Sequence, residues 1–246
     1  MNELSNSQLK ERARLAGRKF RQLEGCVIVE GERCLAQLAA VGMKPRELYL
    51  APNAPPGHLI TALVDVEATY TVTLRQLERL SRSVSPPPIA ALFDTLSPPL
   101  PERGLLLYLD GIRDPGNLGA ILRSAVALGA AGVALSPDCC EVFNPKVVQS
   151  ALGAPFYFAC QTRDRDWATA FAGAVLAADM RGTPLSEAPS ITGDALLVIG
   201  SEAHGVSDTL LQRADARLSI PLSGRMESLN AAVAAGILLY ALASAC

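Results

Sequence analysis

Short apolar runs alternate along the chain with stretches whose apolar residues recur every three or four positions. The runs at 26–29, 47–50, 105–110, 132–136, 155–159, 174–178, 195–202 and 217–220 read as buried strands bounded by turn residues. The stretches at 31–41, 57–66, 74–80, 118–128, 145–152, 166–172, 207–213 and 229–244 read as helices, and a basic helix is predicted at 6–22. In 118–128, Leu118, Ile121, Leu122, Ala125 and Val126 form one apolar stripe, and Gly129 closes the helix. Strands alternating with helices predict an α/β fold with a parallel sheet covered on both faces. Ligands of such sheets bind beyond the carboxyl ends of the strands.

The alternation breaks once. The stretch from Ser83 to Gly104 holds six of the 17 prolines. Proline lacks an N–H donor and fixes its own φ, so this stretch reads as an extended connector, with a short strand at 89–93 that still belongs to the part before it. The predicted division is a first domain at 1–96, a linker at 97–103 and a second domain at 104–246.

Composition narrows the class. Half of the 246 residues are hydrophobic, which disfavours disorder. No run approaches the roughly 18 consecutive apolar residues of a membrane span, so no membrane partner is expected. The polar, basic start is not a secretory signal, and Glu3 and Glu11 argue against a mitochondrial presequence. Six cysteines without a C-x-x-C pair read as reduced core thiols of a cytoplasmic protein, with no metal site expected.

The net charge of −2 is unevenly spread: residues 1–100 sum to +2 and residues 101–246 to −4. Within 4–23, Lys10, Arg12, Arg14, Arg18, Lys19 and Arg21 stand against Glu11 alone. Such a cluster either neutralises backbone phosphates of a nucleic acid or is a solvated helix face.

Three loops follow predicted strands and carry candidate chemistry. The first, DGIRDPGNLGAILRSA, combines Gly111, Pro115, Gly116 and Gly119 with a candidate helix cap at Asn117 and a lone basic residue, Arg123, on an otherwise apolar helix. The second, IGSEAHGVS, places Glu202 at a strand mouth between Gly200 and Gly205. It is neither a P-loop nor a G-x-G-x-x-G turn, which disfavours an ordinary nucleotide- or NAD-binding enzyme. The third, IPLSGRMESLNAAVAAGILLY, bends at Pro221 and Gly224 and enters a helix capped by Ser228 or Asn230. Taken singly, each loop has an ordinary structural explanation.

Taken together, their order and spacing resemble the three signature motifs of the SpoU/TrmH family, a branch of the SPOUT RNA methyltransferases. The pattern N-x-G-x-x-x-R is met by Asn117, Gly119 and Arg123, and G-x-E-x-x-G by Gly200, Glu202 and Gly205. The pattern I-P-[ML]-x-G-x-x-x-S-L-N is met without a gap by Ile220 to Asn230. Two departures are Ala203, where the family often has glycine, and Ala232, where a second serine is common; a positive φ at Ala203 would be strained. The first domain, with its basic helix and the turn GCVIVEGERCLAQL, resembles the substrate-binding module of two-domain members and is similar to an RNA-binding ribosomal-protein fold.

The resemblance implies a parallel-sheet domain with a C-terminal trefoil knot, a topology that chain-connection rules make very rare. It implies S-adenosylmethionine as cofactor, with Gly200, Ile220, Leu222 and Leu229 as its contacts, and a homodimer in which Arg123 of one subunit completes the other's site. It implies methylation of a ribose 2′-hydroxyl in RNA, in large-subunit ribosomal RNA first, with a transfer-RNA enzyme or a non-catalytic RNA-binding relative as alternatives. Arg123 would be the proton acceptor or the anchor of an adjacent phosphate, with Asn117, Glu202, Ser228 and Asn230 orienting it and the ribose. RNA capture would fall to Lys10, Arg12, Arg14, Arg18 and Lys19 and to a few further arginines such as Arg113 and Arg225.

Overall fold

The structure, a computed structural model, describes residues 2–54, 57–63, 68–81, 85–188, 193–224 and 226–243. Contacts divide the chain into two compact units, Met1–Leu96 with Phe143–Tyr157, and Ser97–Val142 with Phe158–Cys246.

The first unit runs β1 (Asn2–Glu3), α1 (Asn6–Ala13), α2 (Arg18–Glu24), β2 (Cys26–Glu30), α3 (Glu32–Ala40), β3 (Glu47–Leu50), α4 (Gly57–Leu63), β4 (Ala68–Thr71), α5 (Leu74–Ser81) and β5 (Ile89–Asp94). The sheet order is β1-β4-β3-β5-β2, with β5 antiparallel to both its neighbours. Successive side chains of β2 serve opposite faces: Val27 and Val29 pack with Leu35, Leu38 and Phe93, while Cys26 and Ile28 pack with Leu9, Leu77 and Leu80. Both faces are therefore apolar and both are covered by helices. The basic helix expected at 6–22 is broken by a 3-10 turn at Arg14–Ala16 and by Gly17, whose extended backbone (φ −90°, ψ 133°) starts α2 afresh. The end of the helix expected at 57–66 lies outside the described residues.

The second unit contains β6 (Leu105–Asp110), α6 (Pro115–Ala127) and β7 (Gly132–Leu135). The helices α7 (Pro145–Ser150) and α8 (Ala154–Tyr157) come next in the chain. They are followed by β8 (Cys160–Thr162), α9 (Arg165–Thr169), β9 (Ala174–Pro184), β10 (Ala195–Gly200), α10 (Asp208–Arg213), β11 (Ala216–Ser219) and α11 (Ala231–Ala243). The sheet order is β11-β9-β10-β6-β7-β8, and every pairing is parallel. Leu106, Tyr108, Leu196 and Val198 face a core with Val175 and Leu210. The alternating positions Leu107, Leu109, Leu197 and Ile199 are buried on the other face, where α6 and α11 pack together. The strand β6 lies between β10 and β7, so the loops leaving β6 and β10 diverge where the strand order reverses.

Two differences from the sequence reading have physical causes. The apolar run expected as a strand at 155–159 is α8, because Pro155 sets a helical φ in the first turn and needs no N–H there; the strand begins only at Cys160. The segment Phe143–Tyr157, read as an internal part of the second domain, groups with the first unit, since Val148 and Phe156 lie in one core with Val27, Leu38 and Phe93. Cys26, Cys34, Cys139 and Cys160 are free and buried, and burial pushes the Cys34 thiol up to about 12.

Candidate active site

The strand β6 ends in a carboxylate, Asp110, that is 2% exposed. The chain then turns through Gly111 (φ 75°) into α6. Asp114, not Asn117, caps that helix: its Oδ1 accepts the Asn117 N–H at 2.8 Å, and Pro115 stands at the first helical position. This corrects the assignment of Asn117 as the cap and leaves its side chain free for other contacts. Its Nδ2 donates to Glu202 Oε1, and its Oδ1 accepts from Asn230 Nδ2 at 2.9 Å. Asn230 is the cap of α11, its own Oδ1 accepting from Ala232 N at 2.9 Å and Val233 N at 3.3 Å. One residue from each of the three loops is thus joined in a single chain of amides and a carboxylate.

The loop after β10 is drawn tight. The Gly205 N–H donates to the Ser201 carbonyl at 2.8 Å, and a Cβ on Gly200 would run into the backbone of Gly205 and Val206. The left-handed position of this loop is Gly205 (φ 67°), not Ala203, so alanine is unstrained there. The loop's far end is held by Asp110, whose Oδ2 accepts the Ser207 N–H at 2.8 Å. The other oxygen of Asp110 accepts from Arg165 Nε at 2.8 Å, and Arg165 also reaches both oxygens of Asp138 at 3.1 Å. The Ser136 hydroxyl, the largest influence, and then Arg165 hold the Asp138 carboxyl below its ordinary value against the effect of burial. Asp110, Ser136, Asp138 and Arg165 were not singled out from the sequence. The available signal was an acidic residue closing the apolar strand LLLYLD at its carboxyl end.

A cavity of about 640 Å³ opens beyond the carboxyl ends of β9, β10 and β11. Gly200, Ile220, Leu222 and Leu229, the four expected cofactor contacts, all line it, with Glu202 and Ser228. Its walls combine the backbone after β10 and β11 with apolar side chains of Ile199, Leu218 and Leu238. Ser228 makes no hydrogen bond to another described residue. A smaller cavity of about 250 Å³ lies on the other side of the Ser201–Gly205 loop and is lined by Asp110, Arg113, Asp138, Arg165 and His204.

Arg123 does not line the large cavity and has no ion pair or hydrogen bond among the described residues. It follows Asn117 by six positions on α6, so the two side chains leave the helix about 120° apart and about 9 Å along its axis. Arg113 is exposed, 4.0 Å from Asp138, and Arg225 lies outside the described residues.

In the first unit, Lys10, Arg14, Arg18 and Lys19 are exposed, with Arg14 stacked 4.0 Å over the Phe20 ring. Arg12 is not free. It makes a two-point ion pair with Glu47, at 3.0 Å through Nε and 2.6 Å through a terminal nitrogen. Arg21 is buried and donates to the Leu15 and Ala16 carbonyls. Among the described residues no group of three or more His, Cys, Asp or Glu could hold a metal ion.

Comparison with known proteins gives this arrangement its family. The SpoU rRNA Methylase family matches residues 104–240, and the MRM3-like substrate binding domain matches residues 6–91. The chain belongs to the SpoU rRNA methylase family. It is 31% identical over 241 residues to the 23S rRNA (guanosine(2553)-2′-O)-methyltransferase RlmP of Bacillus subtilis, covering 96% of this chain and 95% of that protein. Among solved structures, the AdoMet-bound rRNA methyltransferase of Sinorhizobium meliloti superposes with a TM-score of 0.83 at 26% identity, covering 98% of this chain and 96% of that one. The SpoU methyltransferase AviRb of Streptomyces viridochromogenes, in complex with AdoMet, gives 0.82 at 27% identity, covering 98% of each chain. The three loops that resemble one set of motifs all lie within the matched residues 104–240, and in the fold Asn117, Glu202 and Asn230 of those loops meet.

Proposed function

We propose that this chain transfers a methyl group from S-adenosylmethionine to a ribose 2′-hydroxyl of large-subunit ribosomal RNA. The observation that carries the reading is the linked set Glu202–Asn117–Asn230 beside the cavity of about 640 Å³, which joins the three family motifs into one site. Its size is within the range of small-ligand pockets, its apolar side chains suit an adenine ring, and its post-strand backbone offers donors and acceptors. The names of RlmP and the rRNA methyltransferase of Sinorhizobium meliloti support the RNA substrate.

When bound, S-adenosylmethionine supplies a methyl group already activated on a sulfonium. The protein must therefore orient the ribose and manage one proton, and orientation supplies on the order of 7–11 kcal/mol at best. Gly200, Ile220, Leu222 and Leu229 hold the donor. Glu202, Asn117, Asn230 and Ser228 fix the edge of the site against which the ribose lies. Arg123 is assigned to the phosphate beside the target ribose and to the developing alkoxide, and the 2′-hydroxyl proton leaves to water; as proton acceptor Arg123 would have to lose a charge that arginine keeps.

Arg123 points away from its own chain's Asn117, which supports a homodimer in which Arg123 serves the partner's site. Val233, Ile237 and Tyr240 on α11 support the same reading: they are exposed, apolar and spaced four and three residues apart on one helix face. A trefoil knot in the second domain and a cytoplasmic location belong to this proposal. So does the division into an RNA-binding domain at 1–96, a linker at 97–103 and a methyltransferase domain at 104–246. Lys10, Arg14, Arg18 and Lys19 supply the phosphate contacts of the first domain, with Arg113 near the reaction.

The test is Arg123→Ala. Methyl transfer to ribosomal RNA, read with a radiolabelled methyl group, is lost, while calorimetry gives S-adenosylmethionine affinity nearly that of the parent. Retained turnover, or a parent protein that binds no S-adenosylmethionine, rejects the proposal. Mapping 2′-O-methyl positions in RNA from cells with and without the gene identifies the nucleotide.

A further inference from the structure

The pairing of β9 with β11 skips. Arg217 lies opposite Ala177 and Leu218 opposite Thr183, so residues 178–182 bulge out of the ladder with β11. Bulges of this kind re-aim side chains and are frequent beside active sites. The far end of this one is pinned at Gly182, where a Cβ would strike the backbone of Arg217 and Leu218. The bulge forms one wall of the large cavity. Met180 at its crest is exposed, whereas the Asp179 side chain is turned in and only 16% exposed.

Asp179 is held but not saturated. One oxygen accepts the Arg181 N–H at 3.0 Å. The other lies 3.7 Å from an Arg217 terminal nitrogen, beyond direct hydrogen-bond distance, and accepts no hydrogen bond from a described residue. Arg217 cannot close in freely, because its Nε and other terminal nitrogen both donate to the Leu211 carbonyl, at 3.2 and 3.0 Å. Of the other carboxylates lining the cavity, Glu202 is engaged by Asn117 and Asp208 is exposed in the first turn of α10. Asp179 is thus an inward carboxylate with acceptor capacity to spare and a fixed cation beside it.

We propose that Asp179 is the polar anchor of the methyl donor, accepting hydrogen bonds from its ribose hydroxyls or its amino-acid ammonium. The inference rests on the reading that this cavity holds S-adenosylmethionine.

Calorimetry on the full chain, parent against Asp179→Asn, tests it with four probes. S-adenosylmethionine and S-adenosylhomocysteine carry both donor groups, 5′-methylthioadenosine carries the ribose without the ammonium, and adenine carries neither. A ribose anchor weakens the first three by about 10- to 100-fold and leaves adenine unchanged. An ammonium anchor weakens only the first two. Unchanged affinity for all four overturns the proposal, and so does an equal loss for all four including adenine, which makes Asp179 a residue that merely shapes the wall. If the parent binds none of the probes, it is the assignment of the cavity to S-adenosylmethionine that fails.

Discussion

The side-chain amide of Asn230 donates to the side-chain carbonyl of Asn117 at 2.9 Å, across 113 positions of sequence. Both ends of each amide are used, and the two residues divide labour differently. Asn230 also caps α11, whereas Asn117 leaves capping of α6 to Asp114. Asn230→Ala is expected to cost about 0.5–2 kcal/mol of stability through the lost cap, and Asn117→Ala less than about 1 kcal/mol. Each lowers methyl transfer by at least about tenfold, and the double variant is expected to be no worse than the more severe single one, since either change breaks the same link. Melting curves and a methyl-transfer assay on the three variants check this; additive losses in activity would mean the pair does not act as a unit.

Asp110 ties the loop after β10 to the sheet through Ser207 and is itself held by Arg165. Asp110→Asn removes the buried one of the two charge partners of Arg165. The expected cost is about 2–4 kcal/mol, less than for a fully buried pair because Arg165 is partly exposed. The loosened loop should raise KM for S-adenosylmethionine more than it lowers kcat. A change confined to kcat would argue that Asp110 has no part in shaping the donor pocket.

The stability of the second unit should fall in acid partly through Asp138. Its carboxyl sits below the ordinary value because Ser136 and Arg165 favour the charged form. A group depressed in the folded state adds stability above its unfolded pKa, about 3.9 for aspartate, and loses it as the pH falls through the folded value. The gap in melting temperature between the parent and Asp138→Asn is therefore expected to be constant above about pH 5 and to shrink below about pH 4. A gap that widens in acid would contradict the sign.

The basic segment at the start of the chain should split by experiment as it does in the structure. Arg12→Ala takes the cation from the half-buried Glu47, leaving it the Tyr49 hydroxyl, and is expected to cost about 1–3 kcal/mol. Arg18→Ala and Lys19→Ala should leave the melting temperature unchanged, Arg14→Ala should lower it slightly through the lost stack on Phe20, and all three should weaken RNA binding. The combined variant should also flatten the salt dependence of that binding by about two to three units of log–log slope. Melting curves and filter binding across a salt series separate the two groups.

How much was legible in the chain follows from what each feature depends on. Strands such as Leu105–Asp110 and Glu47–Leu50 were readable because a short apolar run between turn residues has few other uses. The strand at Ala68–Thr71 was not, since its residues are only half apolar and its neighbours β1 and β3 supply the pairing. The apolar run at 155–159 misled for a local reason, as a proline in the first turn favours helix over strand. Among site residues, the motif spacing marked Asn117, Glu202 and Asn230 but not the role of each.

The sequence by itself determined the alternation of strands and helices, the break at the prolines, the three post-strand loops and the residues in them that bear chemistry. Those depend on side-chain period and backbone preference within a few neighbouring positions. The tertiary structure alone decided that Asn117 links Glu202 to Asn230, that Arg12 pairs with Glu47, that Asp110 and Arg165 clamp the loop after β10, and that a bulge turns Asp179 into the cavity. Each of these is a contact between groups far apart in the chain, and long-range partners leave no periodic trace in one sequence.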